Sequence, residues 1–233
     1  MFIDFSTDYI EKTIFDIDKF GLEKEGETAR ITILDSRPLL VKRHFLNTPE
    51  DYDGDRFTGN YACLGSGCVM CEHGADGVKP PVGKLQIRYM FRVGVYNKAD
   101  KLDLQLFDMT KKSFEKLVSQ IEFHDIKGKD IPGLDILVKC TKPKPFLTYD
   151  ITVSPTSRTY NKTEVGKQSW KEINESEFTL DKFEKREVRD ATSEEIEKYC
   201  MIALGIDGED DSNNVEFTIT EDSNRIMDEL FSN

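Results

Sequence analysis

The stretch that most restricts how this chain can fold is residues 61–74, YACLGSGCVMCEHG, which holds three of the five cysteines within nine positions. Glycines at 65 and 67 can take positive φ, so the backbone from Cys63 to Cys68 can curl and aim its sulfurs at one point. A C-x4-C-x2-C spacing on such turns suits an ion held tetrahedrally by soft ligands, of which zinc takes four. A CVMC redox pair would be expected to open a helix, and EHGADGVKPP does not read as one. Three thiolates leave the fourth position open between two histidines. His73 follows Cys71 by two residues, a tight bite for a tetrahedron, whereas His44 sits in LLVKRHFL, a strand beside which residues 47–60 can fold back. His44 is preferred. With four protein ligands and no general base nearby, the ion is expected to be structural, and zinc by ligand type. Cys140 and Cys200 lie in apolar runs and read as core.

The 233 residues suit one medium domain with appendages, or two small ones. No run of about 18 apolar residues is present, so no membrane span is expected. The acidic start MFIDFSTDYIEK is unlike a secretory signal, and an odd, clustered set of cysteines is unlike a disulfide framework. A reducing, cytoplasmic setting is expected. The net charge of −12 alone would argue against a nucleic-acid partner, but the charge is unevenly spread. Residues 1–27 carry 3 basic and 8 acidic side chains, residues 28–171 carry 23 and 17, and residues 172–233 carry 6 and 19. A mildly basic middle is thus flanked by two acidic ends.

Ile10, Ile14, Ile17 and Phe20 predict a short amphipathic helix over residues 6–20, followed by a linker at 21–27, so that 1–27 form an acidic N-terminal extension. Strands are predicted at ARITIL, at LLVKRHFL after Pro38, at the hairpin KLQIRYMFRVGVYN/LDLQLFDM, and at LDILVKC and FLTYDITV. Thr110 can cap a helix TKKSFEKLVSQI between the hairpin and the last pair. Residues 155–178 are polar and show no clear period. SEEIEKYCMIAL predicts a helix from Ser193 to about Leu204, stopped by Gly205, within a polar segment and helix at 172–206. Residues 207–233 hold nine acids and one arginine and read as an acidic disordered tail with an apolar tip, IMDELF. A long bent first strand, a hairpin, a helix and a closing hairpin over 28–171 is the order of a five-stranded, OB-fold-like barrel, with a zinc-binding loop inserted at about 47–85.

Strand alternation predicts which side chains face out. In QIRYMFRVGVY, Ile87, Tyr89, Phe91, Val93 and Val95 are expected in the core, leaving Arg88, Arg92 and Tyr96 on the other face. In LDLQLFDM, Leu102, Leu104 and Leu106 are expected inside and Asp103, Gln105 and Phe107 outside. The exposed hairpin face would then mix Arg88, Arg92, Tyr96 and Phe107, a combination suited to stacking bases and following phosphates. Lys42, Arg43, Lys84, Lys111, Lys112, Lys139, Lys142 and Lys144, with Phe146 alongside, would extend that surface.

Together, HFL…CLGSGCVMCEHG…RYMFRVGVYN…LQLFDMTKKSFEKL…YDITV resembles the zinc-containing single-stranded DNA-binding proteins of tailed phages over residues 37–153, with a tail alike in character. The resemblance implies an OB-fold core, a zinc site of His44, Cys63, Cys68 and Cys71 near the first strands, and an acidic C-terminal tail. It also implies a non-enzymatic, sequence-tolerant binder of single-stranded DNA in phage replication, recombination or repair. The acidic tail, by its own composition, can recruit replication or recombination proteins through its apolar tip or compete with DNA for the basic middle. The acidic first 27 residues stand where well-known members carry a basic arm that drives cooperative binding, and the long spacing from His44 to Cys63 keeps His73 open as the fourth ligand. The alternative is a zinc-bearing protein-interaction module, a transcription or recombination mediator, without intrinsic DNA affinity.

Overall fold

The computed structural model describes residues 17–77, 79–142, 148–176 and 178–206. Most of the expected N-terminal helix, the acidic tail, Lys144 and Phe146 therefore lie outside the described residues. Seven strands form an open antiparallel sheet: β1 (Thr28–Ile33), β2 (Leu39–Leu46), β3 (Gly59–Ala62), β4 (Gln86–Tyr96), β5 (Leu102–Thr110), β6 (Asp135–Lys142) and β7 (Thr148–Ser154). The described helices are α1 (Val69–His73), α2 (Lys111–Phe123), α3 (Glu164–Asn174), α4 (Leu180–Glu187) and α5 (Ser193–Leu204). The chain divides into two compact units, residues 17–40 and 88–183 in the first and 41–87 and 184–206 in the second. No described helix is long and apolar enough to cross a membrane.

The expectation of a closed five-stranded barrel is corrected on both counts. Ser36, Arg37 and Pro38 interrupt the long first strand, since proline has no N–H to give a ladder, and the single strand becomes β1 and β2. β3 is an added strand inside the segment expected to be a loop. In the first unit the neighbours run β5-β4-β1-β6-β7, and no ladder among the described residues joins β5 to β7. The outer edge of β5 is used instead by residues just before the expected linker. Phe20 N–H donates to Leu106 O at 2.9 Å, and Leu106 N–H to Asp18 O at 3.0 Å. Phe20 is buried against Phe107 and Tyr149, and Leu22 is buried as well. Phe20 and Leu22 therefore belong to the core, and Lys19 sits in a β-bridge, not in a helix.

The helix after β5 forms as predicted. The Thr110 hydroxyl accepts from Ser113 N–H, and Phe114, Leu117, Val118 and Ile121 make one buried stripe. Phe114 stacks on Tyr89 of β4 with ring centroids 4.0 Å apart. Burying side chains of this size contributes about 1.5–3 kcal/mol each. On the opposite face of β4, α3 covers the sheet from the stretch that had no readable pattern. Gly94 makes that approach possible: a Cβ there would lie 2.7 Å from Ile173 Cδ1. Ile173 joins Leu34 and Leu102 in a small buried cluster, flanked by Tyr96, Tyr160 and Trp170.

Register then overturns the expected outer face of the hairpin. Arg92 lies opposite Leu106, Gly94 opposite Leu104 and Tyr96 opposite Leu102, while Phe91 lies opposite Phe107. Directly opposed residues share a face. The leucines therefore stand with the arginines and Tyr96, and Phe107 stands with Tyr89 and Phe91, fully buried. A strand apolar on both faces gives alternation no means of choosing between them, and the leucines fall on the face opposite to the expected one.

Asp135, 2% exposed at the start of β6, ties the chain after β7 back to the sheet. Its two carboxyl oxygens accept from Tyr96 Oη at 2.7 Å, Ser157 Oγ at 2.7 Å, Thr159 N–H at 2.8 Å and Thr159 Oγ1 at 2.6 Å. Asp135→Asn puts an amide donor among these donors and is expected to lower unfolding free energy by about 3 kcal/mol, measured by urea denaturation. An unchanged midpoint would show that this junction does not hold the first unit together.

Candidate metal centre

The second unit positions His44, Cys63, Cys68 and Cys71 within one small volume. β2 and β3 pair with His44 opposite Tyr61 and Arg43 opposite Ala62, so Cys63 follows directly on the strand end. Cys63 N–H donates to Lys42 O at 2.9 Å and fixes its start. Gly65 (φ 84°) and Gly67 (φ 72°) then take the left-handed turn that their sequence allows. Cys68 precedes α1, a short helix where no regular element was expected, and Cys71 N–H donates to Cys68 O at 2.8 Å. One helical turn thus brings the second and third sulfurs to the same side.

The four ligand atoms lie within 4.8 Å of one another. His44 Nε2 is 3.3 Å from Cys71 Sγ and 4.0 Å from Cys68 Sγ, and Cys63 and Cys71 Sγ are 3.6 Å apart. A tetrahedral ion with metal–sulfur distances of about 2.3 Å has sulfur–sulfur edges of about 3.8 Å, so the spacing fits, and it is far too long for a disulfide. His44 is fully buried, and its Nδ1–H donates to Gly83 O at 2.9 Å. That bond sets the tautomer, turning the Nε2 lone pair toward the sulfurs, and is the usual outer support of a metal-binding histidine. His73 is exposed on α1 and outside the group, so the two-way choice falls to His44. The arrangement can hold a metal ion, and its one-nitrogen, three-sulfur donor set is consistent with zinc.

Three thiols so close cannot all ionise in the protein alone. A hydrogen bond from Cys63 pushes the Cys68 thiol down to about 3, against the opposing effect of burial, with further help from His44 and the Leu64 and Cys71 backbone. The same bond to Cys68, with burial, pushes Cys63 up, and burial pushes Cys71 up. A bound dication reverses that balance by stabilising all three thiolates. Beneath the cluster, Leu46, Phe57, Tyr61, Cys68, Met70 and Val82 pack against Ile196, Cys200 and Ala203 of α5. Burial pushes the Cys200 thiol up to about 11, in keeping with a core role rather than ligation. Cys140 is buried too. The capping box of Thr192 and Glu195 starts α5, and Gly205 (φ 68°) ends it at the predicted place.

The residues expected to meet DNA are not brought together on one open face. Arg43 is buried with Glu187 at 2.7 Å, and Arg88 bonds Asp108 at 2.7 Å. Arg92 holds Asp35 through Nη2 at 2.6 Å and Nε at 2.9 Å, and also donates to Phe178 O at 2.6 Å. Burial pushes the Asp35 carboxyl up, against the bonds from Arg92. Tyr96 Oη is spent on Asp135, and Phe107 is 1% exposed. Lys42 is half-buried; Lys84 is exposed and paired with Asp76; Lys111, Lys112, Lys139 and Lys142 are exposed. Sequence reasoning missed the Gly83 carbonyl and Glu187. Both lie far along the chain from their partners, and neither carries a local signal.

His44→Ala is expected to strip the bound metal and lower the melting temperature, while His73→Ala keeps one metal per chain, as read by elemental analysis of the purified proteins. Metal retained in the first variant and lost in the second would reverse the ligand assignment. Compared with protein-family models, curated proteins and solved structures, the chain gives no match.

Proposed function

We propose that the protein is a sequence-tolerant binder of single-stranded DNA, acting in phage DNA replication, recombination or repair, with a structural zinc ion at the His44, Cys63, Cys68 and Cys71 cluster. The observation that carries this reading is the charge partition. Residues 28–171, which supply all seven strands, have 23 basic and 17 acidic side chains in a chain of net charge −12. Binding would combine phosphate neutralisation with base stacking and would need no sequence readout. The zinc would hold residues 63–83 against the β2–β3 hairpin, and the acidic residues 207–233 would recruit replication or recombination proteins. The reading assigns no catalytic step to the chain.

One observation favours the second reading, a zinc-bearing protein-interaction module without DNA affinity. Arg43, Arg88 and Arg92 are committed to Glu187, Asp108 and Asp35, which removes the three guanidinium groups first expected to follow phosphates.

Titration into labelled single-stranded and double-stranded DNA of equal length separates the two. The DNA-binding reading expects preference for the single strand. Between about 50 and 200 mM salt, affinity should fall by tens of fold if about four phosphates are neutralised. Absence of binding to either strand at low salt would leave the interaction module as the better account.

A further inference from the structure

Resting on the single-strand reading, we propose that the strand runs over the Arg30–Leu137 face of β1 and β6 and stacks on the Tyr160–Trp170 pair, with Arg30 and Arg158 on its phosphates. The expected hairpin surface is closed, so contact must come from cations that are not already held by carboxylates. Arg30 is exposed on β1, and its Nη1 reaches only the Thr159 hydroxyl, at 3.5 Å. Arg158 donates to two main-chain oxygens, Ser157 O and Asp130 O, each at 2.9 Å. Neither has a carboxylate partner among the described residues.

Arg30 lies on an exposed stretch of the sheet, and Arg158 adjoins the turn that follows β7. Arg30 stands directly opposite Leu137 on β6, and Thr28 opposite Lys139, so all four share a face of the sheet. Leu137 is 44% exposed there, an apolar side chain on which a base can rest. Thr32 and Asp135 are also opposed on this face, two residues further along each strand, and both are buried there, so the open stretch ends at Arg30 and Leu137. Asp135 is the residue that clamps Ser157 and Thr159, and it thereby sets the 3-10 turn Thr159–Asn161 at the end of the face. That turn carries Tyr160, whose ring stacks on Trp170 of α3 at 4.2 Å and 15°. Both rings are half-buried. Lys139 is answered on this face by Asp150, directly opposite it on β7, so the site is the Arg30 end: a cation, the apolar Leu137 beside it and a stacked pair of aromatic rings on the turn beyond, the elements a sequence-tolerant single-strand site needs.

Trp170 is the only tryptophan, so its fluorescence reports on this site directly. Full-length, metal-loaded protein is titrated with end-labelled oligothymidylate while anisotropy and tryptophan emission are followed together. The expected result is quenching that tracks the anisotropy change. Arg30→Ala and Arg158→Ala should each make the dependence of log K on log salt shallower by about 0.7. Trp170→Phe, with an unchanged melting temperature, should weaken binding on the order of 10-fold. Lys101→Ala, in the β4–β5 turn, serves as the charge-loss control and should bind as the parent does. Binding with unchanged tryptophan emission and with parental affinity in all three variants would overturn this site while leaving the single-strand reading intact. No anisotropy change with the parent protein would overturn both.

Discussion

The cross-strand register between β4 and β5 decides what the rest of the first unit must supply. It places Arg88, Arg92 and Tyr96 on a face shared with Leu102, Leu104 and Leu106. A face of that composition cannot stay open to water without exposing the leucines, and it cannot be covered without burying charge. A buried guanidinium is tolerated when it is paired and its donors are used. Asp35 before Pro38, Asp108 on β5 and the Phe178 carbonyl meet that need, and Asp135 meets the phenol of Tyr96. Covering the face then falls to α3, which the glycine at position 94 admits.

The second unit solves a different problem. Its apolar cluster is small, and much of its chain is the turn-rich run between β3 and residue 87. A core of that size ordinarily needs a staple, and the cysteines with His44 provide a place for one. The ligands are drawn from a strand, a strand end and a one-turn helix, so an ion at their centre cross-links three pieces of backbone at once. The Gly83 carbonyl adds a fourth by fixing the His44 ring. Folding of this unit and metal binding are therefore expected to be one event.

Legibility in the sequence followed the range of the interaction. Thr110 as a cap, Gly205 as a stop and the stripe of Phe114, Leu117, Val118 and Ile121 all act within a few residues, and the structure has them where the sequence put them. The cysteine group was readable for the same reason, since three of its four ligands span nine positions. The faces of β5 were not, because Leu102 to Met109 is apolar at both parities and only the partner strand settles which side is which. Arg43 looked like a surface cation because its partner, Glu187, lies 144 residues away. The open sheet was hidden in a similar way: nothing near Leu106 announces that residues 18–20 will take the edge of β5.

Carboxylates thus sort the cations of this chain into two sets. Where an acid reaches a guanidinium inside the fold, as at Arg43, Arg88 and Arg92, the charge serves packing and cannot answer to a polyanion outside. Where the partners are hydroxyls and carbonyls, as at Arg30 and Arg158, the hydrogen bonds orient the group but leave its charge unneutralised. In a chain with twelve more acids than bases, such uncompensated positions are local, so net charge says little about them. A binding surface here is defined less by where basic residues are dense than by where acidic residues fail to reach them.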